Sequence, residues 1–176
     1  TVLDSSDIPI STAANDQSYP SVAANGTDWL VEWQDDRNDG GSGVDADIYG
    51  ARVDASGAVL DGSGIAISTA TDNQESPAVA ANGPDWLVIW QDYRNGSSHD
   101  IYGAAVNRSG VVLDATGFAI NTNSGDQLNP ALAELNGQHL IVCDGPNAAG
   151  VRSIRANLVS FPYLYITIQP ASRTND

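Results

Sequence analysis

Two stretches of this chain place two carboxylates, an arginine and an amide at related spacings: Asp35, Arg37, Asn38 and Asp47, then Asp92, Arg94, Asn95 and Asp100. Oxygen donors grouped in this way suit a hard cation such as Ca²⁺. Asp35, Asn38 and Asp47 would form one ligand set, and Asp92, Asn95 and Asp100 a second. The arginine suits a different role, a fork bridged by two carboxylates that pins the ends of a hairpin. Its positive charge already stands where the cation would go. The loop 35–47 holds five Asp within 13 residues, but it lacks the ligand order of an EF-hand and reads as a solvated acidic loop or a weak Ca²⁺ site. Tyr49, Tyr93 and Tyr102 offer ring faces on which a sugar could stack.

These groups recur because the chain writes one block three times, at a period of 53 to 57 residues. DWLVEWQDDRN (28–38) returns as DWLVIWQDYRN (85–95), and DIYGARVDASGAVLD (47–61) as DIYGAAVNRSGVVLD (100–114). Repeats of this length mean an array of small supersecondary units. In the second copy PAVAAN (77–82), DWLVIWQD (85–92), DIYGAAVN (100–107) and VVLDATGFAI (111–120) are β-branched, aromatic or small-residue runs. Asn-Gly and Ser-Gly turns separate them, which is the hairpin signal. No segment carries a helical period. The chain is expected to be all-β, with four antiparallel strands per repeat. Trp86, Val88 and Trp90 fall on one face of the second strand and Leu87 and Ile89 on the other. Two apolar faces are what blade-on-blade stacking in a β-propeller needs. A β-trefoil, which also has three four-stranded repeats, is the alternative.

The pattern formed by Gln74, Pro77, Asn82, Gly83, Trp86, Trp90, Asp92, Arg94, Asn95, Asp100, Tyr102, Gly110 and Asp114 resembles a tandem repeat of bacterial secreted and surface proteins. Gln17, Pro20, Asn25, Gly26, Trp29, Trp33, Asp35, Arg37, Asn38, Asp47, Tyr49 and Gly57 match it in the first copy. The resemblance covers about 160 residues. It implies a propeller, an extracellular or cell-surface location and no particular activity. The third copy keeps Gln127 and Pro130, but CDGPNAAGVRSIRAN (143–157) has lost the Trp, the Asp-x-Arg-Asn and the Asp-Ile-Tyr.

TVLDSSDIPIST (1–12) matches GAVLDGSGIAIST (57–69), so the chain opens on an outer strand. Blades then span about 17–69, 74–121 and 127–160, with a further strand and tail over 161–176. The opening strand is expected to complete the last blade. Three blades are too few to close a ring, which points to a head-to-tail homodimer of six blades or a piece of a longer propeller. Starting at Thr1, the chain reads as a processed product or a cut piece.

Composition narrows the partners. The net charge is −15, all seven basic residues are Arg, and 19 of the 22 acids are Asp. Such a surface repels nucleic acid and anionic membranes, and no apolar run is long enough to span a bilayer. The single Cys143, within the run LIVC, excludes an internal disulfide and reads as a packing residue. Catalysis has little to stand on. His99 and His139 match no common position, and no nucleophile motif or zinc spacing accompanies them. Paired carboxylates do serve the propellers that are glycoside hydrolases. The acids here, however, belong to the repeat, whereas one catalytic pair should break its symmetry. The expectation is therefore a non-enzymatic binding or scaffolding module that needs no cofactor, self-associates, and uses loops on one face for a protein or glycan ligand. A structural subunit of a surface assembly and a carbohydrate-binding or carbohydrate-active propeller are the alternatives.

Overall fold

The computed structural model describes residues 6–38 and 45–160. Three antiparallel sheets follow one another along the chain. Blade 1 has the strands β1 (Gln17–Ala24), β2 (Trp29–Asp35), β3 (Asp47–Val53) and β4 (Ile65–Ser68), hydrogen-bonded in that order. Blade 2 repeats this with β5 (Gln74–Asn82), β6 (Asp85–Asp92), β7 (Asp100–Val106) and β8 (Phe118–Asn121). Blade 3 comprises β9 (Leu128–Leu135), β10 (Gln138–Pro146) and β11 (Arg152–Ser160) among the described residues. The first strands neighbour one another, β1 beside β5 and β5 beside β9, so they form the inner side of a β-propeller arrangement. Meandering sheets stacked on both faces leave no place for a trefoil.

Each seam between blades is apolar. The Leu30, Ile48 and Ile67 face of blade 1 packs on Trp86, Val88, Trp90 and Val106 of blade 2. The Leu87, Ile89 and Ile101 face of blade 2 packs on Ile141 and Cys143. Alternation along β6 thus serves two seams with one strand, as a sheet covered on both sides requires. Gly103, in the DIYG segment, lies so close to Val88 O and Ile120 that an added Cβ would come within 3.0 Å of both. No side chain fits there without moving the strands.

The repeat's glutamine is the first residue of β1 and β5 and immediately precedes β9. Gln17 Nε2 donates to the carbonyls of Ala14 and Asn15, Gln74 Nε2 to those of Thr71 and Asp72, and Gln127 Nε2 to those of Asn123 and Gly125. The turn from one blade to the next is closed in this way. Register shifts follow between Ser18 and Ser21 and between Glu75 and Ala78. There Tyr19, Ser76 and Asn129, each preceding a proline, take positive φ.

Three expectations need correction. The outer strand is short: Val59 and Val112 make only single bridges, and the strands proper are the four residues of β4 and β8. The cause is a turn, closed by Gly64 N to Asp61 O at 2.8 Å, together with capture of the Asp61 carboxylate by Arg52 at 2.8 and 2.9 Å. His139 does hold a common position. Its Nε2 lies 2.8 Å from Ala81 O on the preceding blade, much as Trp86 Nε1 lies 3.0 Å from Ala23 O, and Cys143 stands in the place of Trp90. Residues 6–13 form no strand and do not pair with β11, so the expected closure within one chain is not made by the described residues. The proposed strand 161–170 lies outside the described residues.

Glu32 breaks the seam pattern. It occupies the position of Ile89, is fully buried, and faces Ser21 across the strand pair. Neither carboxylate oxygen meets a donor at hydrogen-bond geometry. Burial pushes its pKa up to about 8 against a weaker pull from the Ser21 hydroxyl. The folded state therefore holds a proton that the unfolded chain releases near pH 4.5. Stability from this group is full below that pH and is lost as pH rises towards 8, at up to about 1.4 kcal/mol per pH unit. Glu32→Ile should remove this dependence. Urea unfolding of both proteins from pH 5 to 8 should show the variant's advantage growing with pH. A constant difference would mean that folding does not perturb the Glu32 titration.

Candidate functional site

The hairpin ends between second and third strands carry the repeated carboxylates, and groups of the same hairpins occupy them. Asp35 and Asp47 face each other across the ladder, as do Asp92 and Asp100. Both oxygens of Asp35 are taken: Arg37 forks onto them at 2.7 Å, and Trp33 Nε1 donates at 2.6 Å. Arg94 and Trp90 hold Asp92 in the same way. The third arm of each guanidinium reaches the turn before the outer strand, at Ser63 O and Thr116 O. Each arginine thus forks one carboxylate and a carbonyl, where two carboxylates were expected. Burial raises the Asp35 carboxyl, but the hydrogen bonds from Arg37 and Trp33 outweigh it and hold the group below its usual range.

The second carboxylate of each pair goes to the amide. Asn38 Nδ2 donates to Asp47 at 2.7 Å and Asn95 Nδ2 to Asp100 at 2.9 Å, while Asn95 Oδ1 accepts from the backbone of Ser97 and Ser98. Burial pushes Asp47 up to about 6 and shifts Asp100 upward as well. Among the described residues, no group of three or more His, Cys, Asp or Glu is placed to hold a metal ion. Tyr49 and Tyr102 lie under the guanidinium groups of Arg37 and Arg94, at 3.8 and 4.1 Å to the ring centroid, so one face of each ring is already covered. Asp39 of the acidic loop lies outside the described residues.

A different constellation forms at the same end of the seam between blades 2 and 3. The last residue of the loop in each of the first two blades latches onto the turn that opens the next blade. Ala46 N donates to Asn73 Oδ1 and Ala46 O accepts from Gln74 N; His99 N donates to Asp126 Oδ1 and His99 O accepts from Gln127 N. Alanine in the first latch becomes histidine in the second. The imidazole lies with Nε2 3.3 Å from Glu75 Oε2 and Nδ1 3.4 Å from Asp126 Oδ1. Glu75 is held in orientation by Gln91 Nε2 at 2.9 Å and Asn73 Nδ2 at 3.2 Å. The Tyr93 ring stands 4.9 Å from the imidazole. The backbone amide of His99, ahead of its ring, keeps the Asp126 carboxyl below the usual range. All three titratable side chains remain part-exposed. Glu75 corresponds to Ser18 in blade 1 and Leu128 in blade 3, so the cluster exists once.

Of the nine residues singled out from sequence, only Tyr93 borders this cluster; Glu75, His99 and Asp126 were not among them. The signal for them was departure from the repeat, since each stands where another copy carries a different residue.

No family profile matches the chain, and no curated protein matches it by sequence. Solved structures do match in fold. A family 117 glycoside hydrolase of Zobellia galactanivorans superposes over 83% of this chain and 53% of its own, with 7% identity and a TM-score of 0.51. GH43B of the Bacteroides ovatus xyloglucan PUL covers 83% of this chain and 29% of its own, with 11% identity and a TM-score of 0.51. An exo-1,5-α-L-arabinanase from a bovine ruminal metagenomic library covers 83% and 54%, with 14% identity and a TM-score of 0.49. The chain spans about half or less of the length of these proteins. The likeness establishes the propeller fold. It also corrects the expectation of a non-enzymatic module, because the architecture shared is one on which glycoside hydrolases are built.

The arginine fork has a stability consequence. Asp92 is fully buried and Arg94 supplies its charge partner. Arg94→Ala should cost about 3–5 kcal/mol by stranding that carboxylate. Arg94→Lys should recover only part, because an ammonium cannot fork. Tryptophan-monitored urea unfolding measures both, and a loss below about 1 kcal/mol for Arg94→Ala would contradict the pinning role.

Proposed function

We propose that this chain supplies blades of a carbohydrate-active propeller, and that the Glu75, His99, Asp126 and Tyr93 cluster is its sugar-facing site. The observation that carries the reading is a solvent-open break in repeat symmetry, a carboxylate-imidazole-carboxylate group beside an aromatic ring, on a fold that hosts glycoside hydrolases. Sugars present hydroxyls that carboxylates accept and C–H faces that aromatic rings cover. Glu75, oriented by two amides, is the fixed acceptor; Asp126 approaches from the next blade.

Glycoside cleavage requires one carboxyl group to protonate the leaving oxygen and another to activate water or attack the sugar. Glu75 and Asp126, on opposite edges of one imidazole, are the pair we assign, with His99 able to relay a proton between them. A net charge of −15 disfavours sulfated or uronic-acid-rich chains, so the substrate class is a neutral polysaccharide. Polymers of that size place the protein outside the cell.

Incubation with xyloglucan and arabinan, followed by reducing-end release and by calorimetric binding to their oligosaccharides, tests the reading. Glu75→Gln and Asp126→Asn should each lower turnover by about 10² to 10⁴-fold. Asp28→Asn, at the opposite end of blade 1, should leave it unchanged. Neither binding nor turnover on any neutral polysaccharide, or an equal loss in Asp28→Asn, would sink the proposal.

A further inference from the structure

Both end faces of the three-blade stack carry seam residues that have no mate among the described residues. Leu30 and Ile48 are 0% exposed in the first seam, as are Leu87 and Ile101 in the second. Their equivalents on the last face, Leu140 and Ile154, are 49% and 78% exposed. Trp86 is 0% exposed where blade 1 covers it, whereas Trp29, which holds the same position with no blade before it, is 40% exposed. One end thus presents the outgoing half of a seam and the other end the incoming half.

The outer strand shows the same division. The third strands β3 and β7 carry β4 and β8 on their outer edges, while the outer edge of β11 is unpaired among the described residues. The residues that would fit it sit at the other end of the stack. Ile8-Pro9-Ile10-Ser11 repeats Ile65-Ala66-Ile67-Ser68. Ile8 and Ile10 lie over the exposed face of blade 1, where they line an open pocket of about 390 Å³ with Val22, Trp29, Val31 and Val53. Ile65 and Ile67 hold the corresponding place over the Trp86, Val88 and Trp90 face of blade 2. Residues 8–11 therefore lie as the outer strand of a blade standing in front of blade 1.

We propose that a second copy of this chain provides that blade. β11 of one copy pairs with residues 8–11 of the next, head to tail. The added strand completes the third blade, and Trp29 becomes buried in a seam of the same kind as the two within the chain. The register follows from the pairs Ile48 with Ser68, Tyr49 with Ala66 and Gly50 with Ile65. It predicts the partner's Ile154 opposite Ser11, the partner's Arg155 opposite Pro9 and the partner's Ala156 opposite Ile8. Proline is tolerated there because the strand is an outer edge. The interface is heterologous, and two copies contribute six blades to a closed ring. Closure also removes the exposed edge of β11. Each copy carries a charge of −15, so the assembly strengthens as salt screens the repulsion.

The test mixes two singly substituted chains, Ser11→Cys and Ile154→Cys, under mild oxidation at about 1 M salt, where the Debye length is about 3 Å. Directly paired residues have the Cα separation that a disulfide needs, and the native Cys143 is buried. The mixture should yield a disulfide-linked heterodimer that neither chain forms alone. Light scattering on the unsubstituted chain should give twice 18.3 kDa, and Ile8→Asp should return it to one copy with its β-sheet circular dichroism intact. A mass of one copy at every concentration would overturn the proposal. So would a crosslink that forms only within a doubly substituted chain, since residues 8–11 would then close their own blade. A dimer without the mixed disulfide would also overturn it, leaving another segment, such as 161–170, on β11.

Discussion

A sheet that is apolar on both faces must be covered twice, and every other feature of this chain follows from that requirement. β6 is the clearest case: Trp86, Val88 and Trp90 enter one seam while Leu87 and Ile89 enter the next. One strand cannot satisfy both faces unless blades stand before and after it. The inner-strand glutamines close the turns between blades, the latches at Ala46 and His99 tie each blade to the next, and the arginine forks hold each blade's own hairpin end to the turn before its outer strand. They are polar fittings around an apolar joint. Their regularity explains why the acids of the repeat are structural: Asp35 and Asp92 are already spent on Arg37 and Arg94.

Function then has to be sought where the fittings differ. The two latches are the same piece of backbone with different side chains. In the first, Ala46 meets Asn73; in the second, His99 meets Asp126 and turns its ring to Glu75. The same backbone hydrogen bonds hold both, and the second carries a titratable cluster besides. Glu32 is the same kind of departure placed in a seam, where a carboxylate replaces the isoleucine of the next blade. One departure is open to solvent and the other is sealed, which separates a candidate site from a pH-dependent strain on the stack.

Much of this was legible in the letters. Period-two alternation gave the faces of the second strand, and the Asn-Gly turns gave the hairpins. The short outer strand was not legible, because GAVLD looks like a strand until Arg52 captures Asp61 and a glycine turn intervenes. The role of His139 was hidden because a histidine stands where the other copies carry Trp29 and Trp86, and because the Asn136-Gly137 turn before it falls one residue later in the repeat than Asn82-Gly83. The tyrosines at 49 and 102 looked free to stack on a ligand, yet the arginines that follow the second strand lie over them. Glu75 escaped notice for a simpler reason: a single letter in one copy carries no periodicity. The chain has only three Glu, and each stands where another copy has a different residue. That count was the available signal.

The central claim is that the broken latch, rather than the repeated hairpin ends, meets a sugar. Amide chemical-shift mapping with a neutral oligosaccharide tests it most directly, because the protein holds its own control in blade 1. The account predicts shifts centred on Glu75, Tyr93, His99 and Asp126, with the blade 1 amides of Asp36 and Ala46, which match Tyr93 and His99, unmoved. Equal shifts at both latches, or none at either, would contradict it.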